Sequence, residues 1–440
     1  MGSCYSAGDV EEVEEPECTC LTRAGFDPTI TVDARNGKGR TRLHAAVECQ
    51  CMHCLVTVLD QGADLEAKLD DNFWYKGDTA LHLACIHKCP RILHALLNRF
   101  SDIQAKNNEG NSPLHTASLY HNAEAIRVLL ANSAEIQAKN NYGMSPLHHA
   151  TIAHKCTVLI LLLENGADVH AKDNFGRTAL HTAMSCLWAE GLDKIRVLLG
   201  NGADIRERCN NGETPLHLAS GENMTDVMTL LLKNGADIHA KNSIGETPLH
   251  KASMKKGEES IRLLLANGAL LEEKDDEGAT PLLKACSNFH EGGSHLITVL
   301  LESGANVKVK SNTGDTALHA VCSSYQYNLN VGLALVARGL DLHEQNYSGH
   351  RPIDELTRRN HLEDLDAYAV VRGEYLNEQR RETNWQRRKA FAFFLASLKQ
   401  DYTQHMAPDC YPTPEEWSAF HVKDRAFGTA LLHVLIGSYL

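Results

Sequence analysis

Residues 112–144 read SPLHTASLYHNAEAIRVLLANSAEIQAKNNYGM, and residues 145–177 follow with SPLHHATIAHKCTVLILLLENGADVHAKDNFGR. Both begin with a hydroxyl residue and a proline, a pair typical of a helix start. The hydroxyl accepts from an unpaired amide, and proline at the first helical position loses no needed donor. The apolar run in the middle predicts a second helix, and the polar stretch ending near glycine predicts a turn. Each stretch therefore predicts one helix–turn–helix unit.

The same frame occurs ten times along the chain. It begins at Thr41, Thr79, Ser112, Ser145, Thr178, Thr214, Thr247, Thr280, Thr316 and, in a degraded copy, Arg351. Neither helix of such a unit can bury its apolar face within the unit, so neighbouring units must stack. Glycines that supply a left-handed cap are predicted to end the second helices. These glycines are Gly62, Gly166, Gly202, Gly235, Gly268, Gly304 and Gly339.

A recurring period of 33 residues with TPLHxA, as in Thr214–Ala219, resembles the ankyrin repeat over about residues 32–370. The resemblance implies an all-α solenoid of stacked helix–turn–helix units with β-hairpin fingers, elongated and curved. It also implies a concave groove, lined by fingers and first helices, that binds partner proteins. In the family, the histidine of each unit hydrogen-bonds within and between repeats. This favours a scaffold role over a metal or catalytic role for His44, His82, His115, His148, His181, His217, His250 and His319.

The ends of the chain differ in composition from the array. Residues 1–31 are predicted to form an acidic, largely flexible tail, and residues 371–440 a small helical cap or extension. Within the latter, residues 379–399 carry basic residues and apolar residues at helical spacing. A helix that seals the last repeat is favoured there. Binding to calmodulin or to a membrane surface is the alternative.

The first six residues, MGSCYS, fit the pattern for N-myristoylation at Gly2, and Cys4 is placed for palmitoylation. Two acyl groups would give a stable anchor where one is marginal. The alternative is a chance match. No apolar run reaches the roughly 18 residues of a spanning helix. The sequence therefore predicts a cytoplasmic protein that is associated with a membrane if Gly2 and Cys4 are acylated.

Composition excludes several classes of function. The net charge of −13 over 440 residues argues against nucleic acid as the ligand. Fourteen cysteines without a secretory signal indicate reduced thiols rather than a disulfide framework. The chain has no glycine-rich phosphate loop, GxSxG or HExxH motif, and residues 371–440 are few for a catalytic domain. We therefore expect a non-enzyme without a cofactor.

Aromatic and apolar residues at the fingertips are the candidate partner-binding residues. The second finger has five extra residues and carries Phe73, Trp74 and Tyr75. Tryptophan and tyrosine dominate interface energies, so this trio is predicted either to contact a partner or to fold back over the first repeat as a cap. Tyr142, Phe175 and Ile244 stand just before the turn glycines of three other fingers, where they are predicted to extend the apolar strip.

Cysteine and histidine residues occupy matching turns in the first two units. Cys49, Cys51 and Cys54 lie in one turn, and His87 and Cys89 lie in the next. Thiolate and imidazole suit zinc, but its ligand atoms must come within about 2.3 Å of one ion. Stacked helix pairs are separated by about 10 Å. Ordinary reduced cysteines are therefore favoured over a zinc site.

Together these features predict a non-catalytic scaffold or adaptor that binds partner proteins through the groove. The alternative is a substrate-recognition subunit of a larger machine, such as a ubiquitin ligase, docked through the C-terminal helices. The two differ in what residues 371–440 bind. The identity of the partner is not encoded in any motif of the chain.

Overall fold

A computed structural model of the protein describes residues 20–26, 31–70, 77–152, 155–185, 191–255, 257–288, 293–324 and 328–358. Within these ranges the regular secondary structure is entirely α-helical, which confirms the predicted all-α class. Nine helix pairs and the first helix of a tenth unit follow a short leading helix. No helix in these ranges combines the length and apolarity needed to cross a bilayer.

The described residues form two compact units. The first runs to Pro215 and includes Asn234–Ala236, and the second comprises Leu216–Lys233 and the residues from Asp237. Their helices, in chain order, are α1 (Cys20–Arg23), α2 (Arg42–Glu48), α3 (Met52–Asp60), α4 (Ala80–Ile86), α5 (Pro90–Leu97), α6 (Pro113–Leu119), α7 (Ala123–Ala131), α8 (Pro146–Ile152), α9 (Cys156–Glu164), α10 (Ala179–Ser185), α11 (Gly191–Gly200), α12 (Pro215–Gly221), α13 (Thr225–Lys233), α14 (Pro248–Met254), α15 (Glu258–Ala266), α16 (Pro281–Ser287), α17 (Ser294–Glu302), α18 (Ala317–Ser323), α19 (Leu329–Ala337) and α20 (Pro352–Arg358).

The first unit has two helical layers. The first helices of its repeats, α2, α4, α6, α8 and α10, pack against one another in sequence, and α3, α5, α7, α9 and α11 form the second layer. Helix α1 packs on α2. The leucine of each first helix is fully buried between neighbours, worth about 1.5–3 kcal/mol apiece. These residues are Leu43, Leu81, Leu114, Leu147 and Leu180.

The second unit repeats this construction. Helices α14, α16, α18 and α20 pack in sequence as one layer, and α13, α15 and α17 pack in sequence in the other. Its fully buried apolar side chains include Leu249, Ile261, Leu264, Leu300 and Leu318. The predicted interior shared between neighbouring repeats is therefore present within each unit.

In seven of the repeats a histidine bridge joins the repeat to the finger that follows it. The backbone N–H of Thr79 donates to His82 Nδ1 at 3.3 Å, and the Thr79 hydroxyl lies 2.9 Å from the same nitrogen. Nδ1 is thus an acceptor, so Nε2 carries the proton and donates to the carbonyl of Asn111 at 2.9 Å. Burial lowers the pKa of His82 to about 4, which keeps the ring neutral. The expected scaffold role is confirmed here.

The same inter-repeat bond recurs in both units. Nε2 of His115, His148 and His181 in the first unit and of His217, His250 and His319 in the second bonds to the carbonyl of Met144, Arg177, Glu213, Glu246, Ala279 and His350, respectively.

Each described finger is a hydrogen-bonded turn rather than a pair of assigned strands. In the finger that precedes Ser112, Asn107 donates its N–H to the carbonyl of Asn111 at 3.0 Å, and Gly110 donates to the carbonyl of Asn107 at 2.9 Å. The Asn107 side-chain oxygen also accepts from the N–H groups of Glu109 and Asn111. These two backbone hydrogen bonds close a tight turn, and the segments on either side of it are not paired as β-strands.

Candidate partner-binding face

The residue before each turn glycine stands at a fingertip. We call four fingertips of the first unit, Glu109, Tyr142, Phe175 and Asn211, its finger face. Tyr142 is 51% exposed and Phe175 is 55% exposed, although both are large and apolar. Neighbouring fingers therefore present two aromatic side chains to solvent, as the sequence predicted for these positions.

Backbone and side-chain hydrogen bonds tie each of these fingers to the next. Asn141 donates its N–H to the carbonyl of Glu109, and Asn174 donates to the carbonyl of Tyr142, both at 2.9 Å. The Asn174 side-chain amide donates to the carbonyl of Asn141 at 3.0 Å. The same pair of bonds links Asn210 to Phe175 and Asn174. We call this set of bonds the finger ladder.

Glycine is required where two fingers approach. Gly143 has φ +72°, and a Cβ built there would lie 2.3 Å from the side-chain oxygen of Asn174 and 2.7 Å from its backbone nitrogen. Any side chain at Gly143 would thus push the next finger away, in addition to straining a left-handed backbone. This glycine allows the ladder bonds that position Tyr142.

Lysine side chains form a second set of links below the tips. Lys106 Nζ donates to the carbonyl of Lys139 at 3.3 Å, and Lys139 Nζ donates to that of Lys172 at 2.7 Å. Lys172 Nζ continues to the carbonyl of Arg208 at 3.4 Å and pairs with Glu207 at 2.7 Å. The links are exposed and individually weak. Their repetition nevertheless limits how far one finger can move against the next.

A cation covers part of Phe175. The Arg177 guanidinium lies 4.8 Å from the centre of the Phe175 ring, and its Nε donates to the Asp173 carboxylate at 2.8 Å. Asp173 is buried and also accepts from the backbone N–H of Phe175. The carboxylate therefore orients both the arginine and the tip, and the ring is held in place while still largely exposed.

The second unit presents a different fingertip chemistry. Its tips are Ile244, Glu277, Thr313 and Ser348, and Ile244 is 54% exposed. Behind them Lys284 Nζ lies 2.7 Å from Asp275, 3.2 Å from Glu277 and 3.5 Å from Glu246. Burial lowers the pKa of Lys284, but the hydrogen bond and charge of Asp275 outweigh it, and the net shift is upward. The tip residues of this unit are polar apart from Ile244, and Tyr347, beside the tip Ser348, is 75% exposed.

The exposed aromatic residues on these hydrogen-bonded fingers suit the binding of a partner protein. Side chains that are already ordered lose little conformational freedom when a partner covers them. Exposed tyrosine and phenylalanine also supply large contact areas on few rotatable bonds. The aromatic positions Phe73, Trp74 and Tyr75, the acylation positions Gly2 and Cys4, and residues 379–399 lie outside the described residues.

The cysteine and histidine residues considered for zinc, for which reduced cysteines were favoured, are only partly brought together. Among the described residues, the one cluster of three or more metal-ligating side chains with ligand atoms within 4.8 Å of one another is Cys20, Cys51 and Cys54. Cys49, His87 and Cys89 are outside it. Cys89 caps α5, one repeat further along the stack, as the helix-spacing argument requires.

Cys20 was not predicted to join the cluster, because it precedes the first repeat. The signal was the pattern Cys18-Thr19-Cys20, which shares the close cysteine spacing of Cys51-x-x-Cys54. Close cysteine pairs separated by a longer stretch are typical of metal sites. Only the fold shows which pairs meet, and Cys18 lies outside the described residues.

Comparisons with known proteins agree with this architecture. A family model described as ankyrin repeats in three copies matches residues 14–107, 91–173, 156–242 and 239–311, together more than half of the chain. Among solved structures, the ankyrin repeat domain of human ASB11 is similar at 24% identity and a TM-score of 0.46, covering 52% of this chain and 99% of that one. No curated protein matches the sequence at a significant level.

Proposed function

The chain belongs to the ankyrin-repeat family, and on that premise we propose that it is a non-catalytic scaffold that holds a partner protein on the finger face of its first unit. Ankyrin repeats are generally protein–protein interaction modules. The observation that carries the proposal is the pair Tyr142 and Phe175, exposed on adjacent fingers whose backbones are joined by the finger ladder. The partner segment is expected to be apolar or aromatic where it covers the two rings.

The energetics favour a focused contact. Truncation of a central aromatic residue at an interface typically costs about 2 kcal/mol or more, which corresponds to a roughly 30-fold loss of affinity. Two such residues on one rigid platform would account for much of a micromolar interaction. Polar tips on either side, Glu109 and Asn211, supply the rim that such contacts have.

The test is affinity purification of the full chain from its native cells, followed by a binding measurement on the partner recovered. The double variant Y142A/F175A is expected to lose the partner while keeping its helix content. The matched control is V56A/I160A, which removes two exposed apolar side chains from the second helices α3 and α9. Equal binding by both double variants and the unmodified chain would refute the finger face as the binding site.

The runner-up function is a substrate-recognition subunit of a larger machine, such as a ubiquitin ligase. It is supported by the 70 residues from 371 to 440, which continue beyond the repeat frames. A chain ending at residue 370 would then keep the partner bound by the finger face and lose the machine. A plain scaffold would show the same set of copurifying proteins with and without these residues.

A lipid tether is a separate part of the proposal. The sequence MGSCYS supports myristoylation of Gly2 and palmitoylation of Cys4. Intact-mass spectrometry of the protein from its native cell should then show both acyl groups, and the G2A variant should move to the soluble fraction. An unacylated Gly2 in that measurement would rule out this tether.

A further inference from the structure

Three thiol groups meet at the start of the first repeat. Cys20 lies in α1, Cys51 is the N-cap of α3, and Cys54 lies in the first turn of α3. Their sulfur atoms are all within 4.8 Å of one another. Cys54 is only 3% exposed, and Cys20 and Cys51 are half-buried. None of the ten described cysteines forms a disulfide bond.

The separation of the sulfur atoms fits a shared ion. Zinc binds thiolate at about 2.3 Å, so two thiolates on one tetrahedral ion lie about 3.8 Å apart. A cluster within 4.8 Å needs only small side-chain adjustments to reach that distance. A disulfide would join only two of the three sulfur atoms, whereas one metal ion can bind all three.

The local backbone supports thiolate ligands. Cys51 and Cys54 are spaced as Cys-x-x-Cys, a spacing common in structural zinc sites. The backbone N–H of Cys54 points at Cys51 Sγ, 3.4 Å away, at the positive end of a nine-residue helix. Negative charge on a sulfur is favoured there. The equivalent cap in the next repeat, Cys89, makes no such side-chain bond.

We propose that Cys20, Cys51 and Cys54 bind a Zn²⁺ ion that fastens the segment before the repeats onto the first repeat. The fourth position is completed by water or one further side chain. Terminal repeats expose an apolar face that must be covered. Helix α1 packs on α2 and is followed by the buried Phe26. A metal link from Cys20 to α3 would hold that cover in place, since structural zinc contributes directly to folding stability.

The test uses the full chain, purified with reductant and without chelator, then incubated with Zn²⁺ and desalted. Elemental analysis is expected to find one zinc per chain. The C51S/C54S variant should retain at least tenfold less, and C20S should bind zinc at least tenfold more weakly. Two matched controls, C49S and C89S, remove cysteines outside the cluster and should retain a full equivalent. Chelator should lower the Tm of the unmodified chain by several degrees and leave that of C51S/C54S unchanged.

A second measurement does not depend on the variants' folding. Cobalt added to the zinc-free unmodified chain should give an intense thiolate-to-metal charge-transfer band, which Zn²⁺ then abolishes. The proposal is overturned if the reduced, unmodified chain retains no zinc. It is equally overturned if C51S/C54S keeps as much zinc as C49S, or if thiol counting finds a Cys51–Cys54 disulfide in the native protein.

Discussion

At the scale of single residues, Asp78 stands out because it is a carboxyl group buried at the base of a finger. It is 4% exposed, and its oxygen accepts from the Asn107 side chain at 2.7 Å. Burial raises the pKa of Asp78 to about 7. The next repeat has Asn111 at the same position, accepting from Asn140 at 2.8 Å. A neutral amide therefore makes the same bond without the cost of a buried charge.

We expect Asp78→Asn to stabilise the protein above neutral pH. The raised pKa means that the folded state disfavours the charged carboxylate, so the contribution of Asp78 to stability falls as pH rises from about 4 to about 7. Removing the charge should recover at most about 4 kcal/mol at pH 8. Thermal unfolding at pH 5 and pH 8 would show this as a rise in Tm that is larger at pH 8 than at pH 5.

The reverse substitution is the control. Asn111→Asp places a carboxylate in the equivalent position beside Glu109 and should lower the Tm at pH 8 more than at pH 5. If Asp78→Asn lowered stability at pH 8, the carboxylate would have to be stabilised by its surroundings, contrary to the raised pKa.

Phe100 is the second unusual residue. It occupies the place that glycine has at the end of most second helices, with φ 65° and 94% of its surface exposed. A left-handed backbone costs a residue with a side chain about 1–2 kcal/mol. Phe100→Gly should therefore raise the free energy of unfolding by about 0.5–1 kcal/mol, after the greater freedom of glycine in the unfolded chain is subtracted.

Denaturant titration of Phe100→Gly beside Phe100→Ala separates the causes. Alanine removes the same exposed ring but keeps the strained backbone, so it should change stability little. Equal stabilisation by both variants would show that the ring, rather than the backbone, is unfavourable.

At the scale of elements, the finger ladder carries the candidate site. We expect Gly143→Ala to cost about 2–3 kcal/mol, because its Cβ would collide with Asn174 as well as straining a left-handed backbone. Gly166→Ala is the matched control, since Gly166 has φ +85° but nothing within 4 Å of the added carbon. It should cost only the backbone strain, about 1 kcal/mol.

Denaturant unfolding measures both variants, and partner binding distinguishes them further. Gly143→Ala displaces the finger next to Tyr142 and should weaken binding, whereas Gly166→Ala should not. Identical stability losses would mean that the ladder adjusts without cost, and the fingers would then be less rigid than their hydrogen bonds indicate.

The helices were predictable from sequence, and the links between fingers were not. Ser112-Pro113 and Thr247-Pro248 start helices because the hydroxyl caps the helix and proline fits its first position, and both features are visible in the sequence. The exposure of Tyr142 and Phe175 also followed from their position before a turn glycine. Asn174, by contrast, donates to the carbonyl of a residue 33 positions earlier, and the sequence around Asn174 does not indicate that partner. The contact of Cys20 with Cys51 and Cys54 was not predicted for the same reason, since these residues are distant in sequence.

At the scale of the whole molecule, the two units present different surfaces from the same repeat. Tyr142 and Phe175 occupy neighbouring tips of the first unit, whereas the tips of the second unit are Ile244, Glu277, Thr313 and Ser348, with Tyr347 exposed beside the last of them. Because the buried leucines and the histidine bridge are shared, the tips can vary with little effect on the core. The repeat pattern therefore specifies the scaffold, and the tip residues specify what each unit can bind.

Buried histidines, most of them members of the histidine bridges, make the repeats sensitive to acid. Burial lowers the pKa of His44, His82 and His115 to about 4 and of His149 to about 3. It also lowers that of His148, His181 and His250. An unfolded histidine takes up a proton below about pH 6.5, whereas His44, His82 and His115 in the folded chain do not until about pH 4. Stability must therefore fall as pH falls through this range.

The loss of stability from the buried histidines on acidification is larger than the gain from Asp78. Each histidine with a folded pKa of about 4 costs about 2 kcal/mol at pH 5, so three of them alone outweigh Asp78, which becomes more favourable toward acid. We expect the Tm to drop steeply between pH 7 and pH 5 at constant ionic strength. His149→Thr, which copies Thr116 and Thr182 at the equivalent positions, should reduce that drop, whereas the exposed His170→Thr should leave it unchanged. A Tm that stays level to pH 5 would mean that the buried rings accept protons in the fold, and that the neutral bridges are not what holds the repeats together.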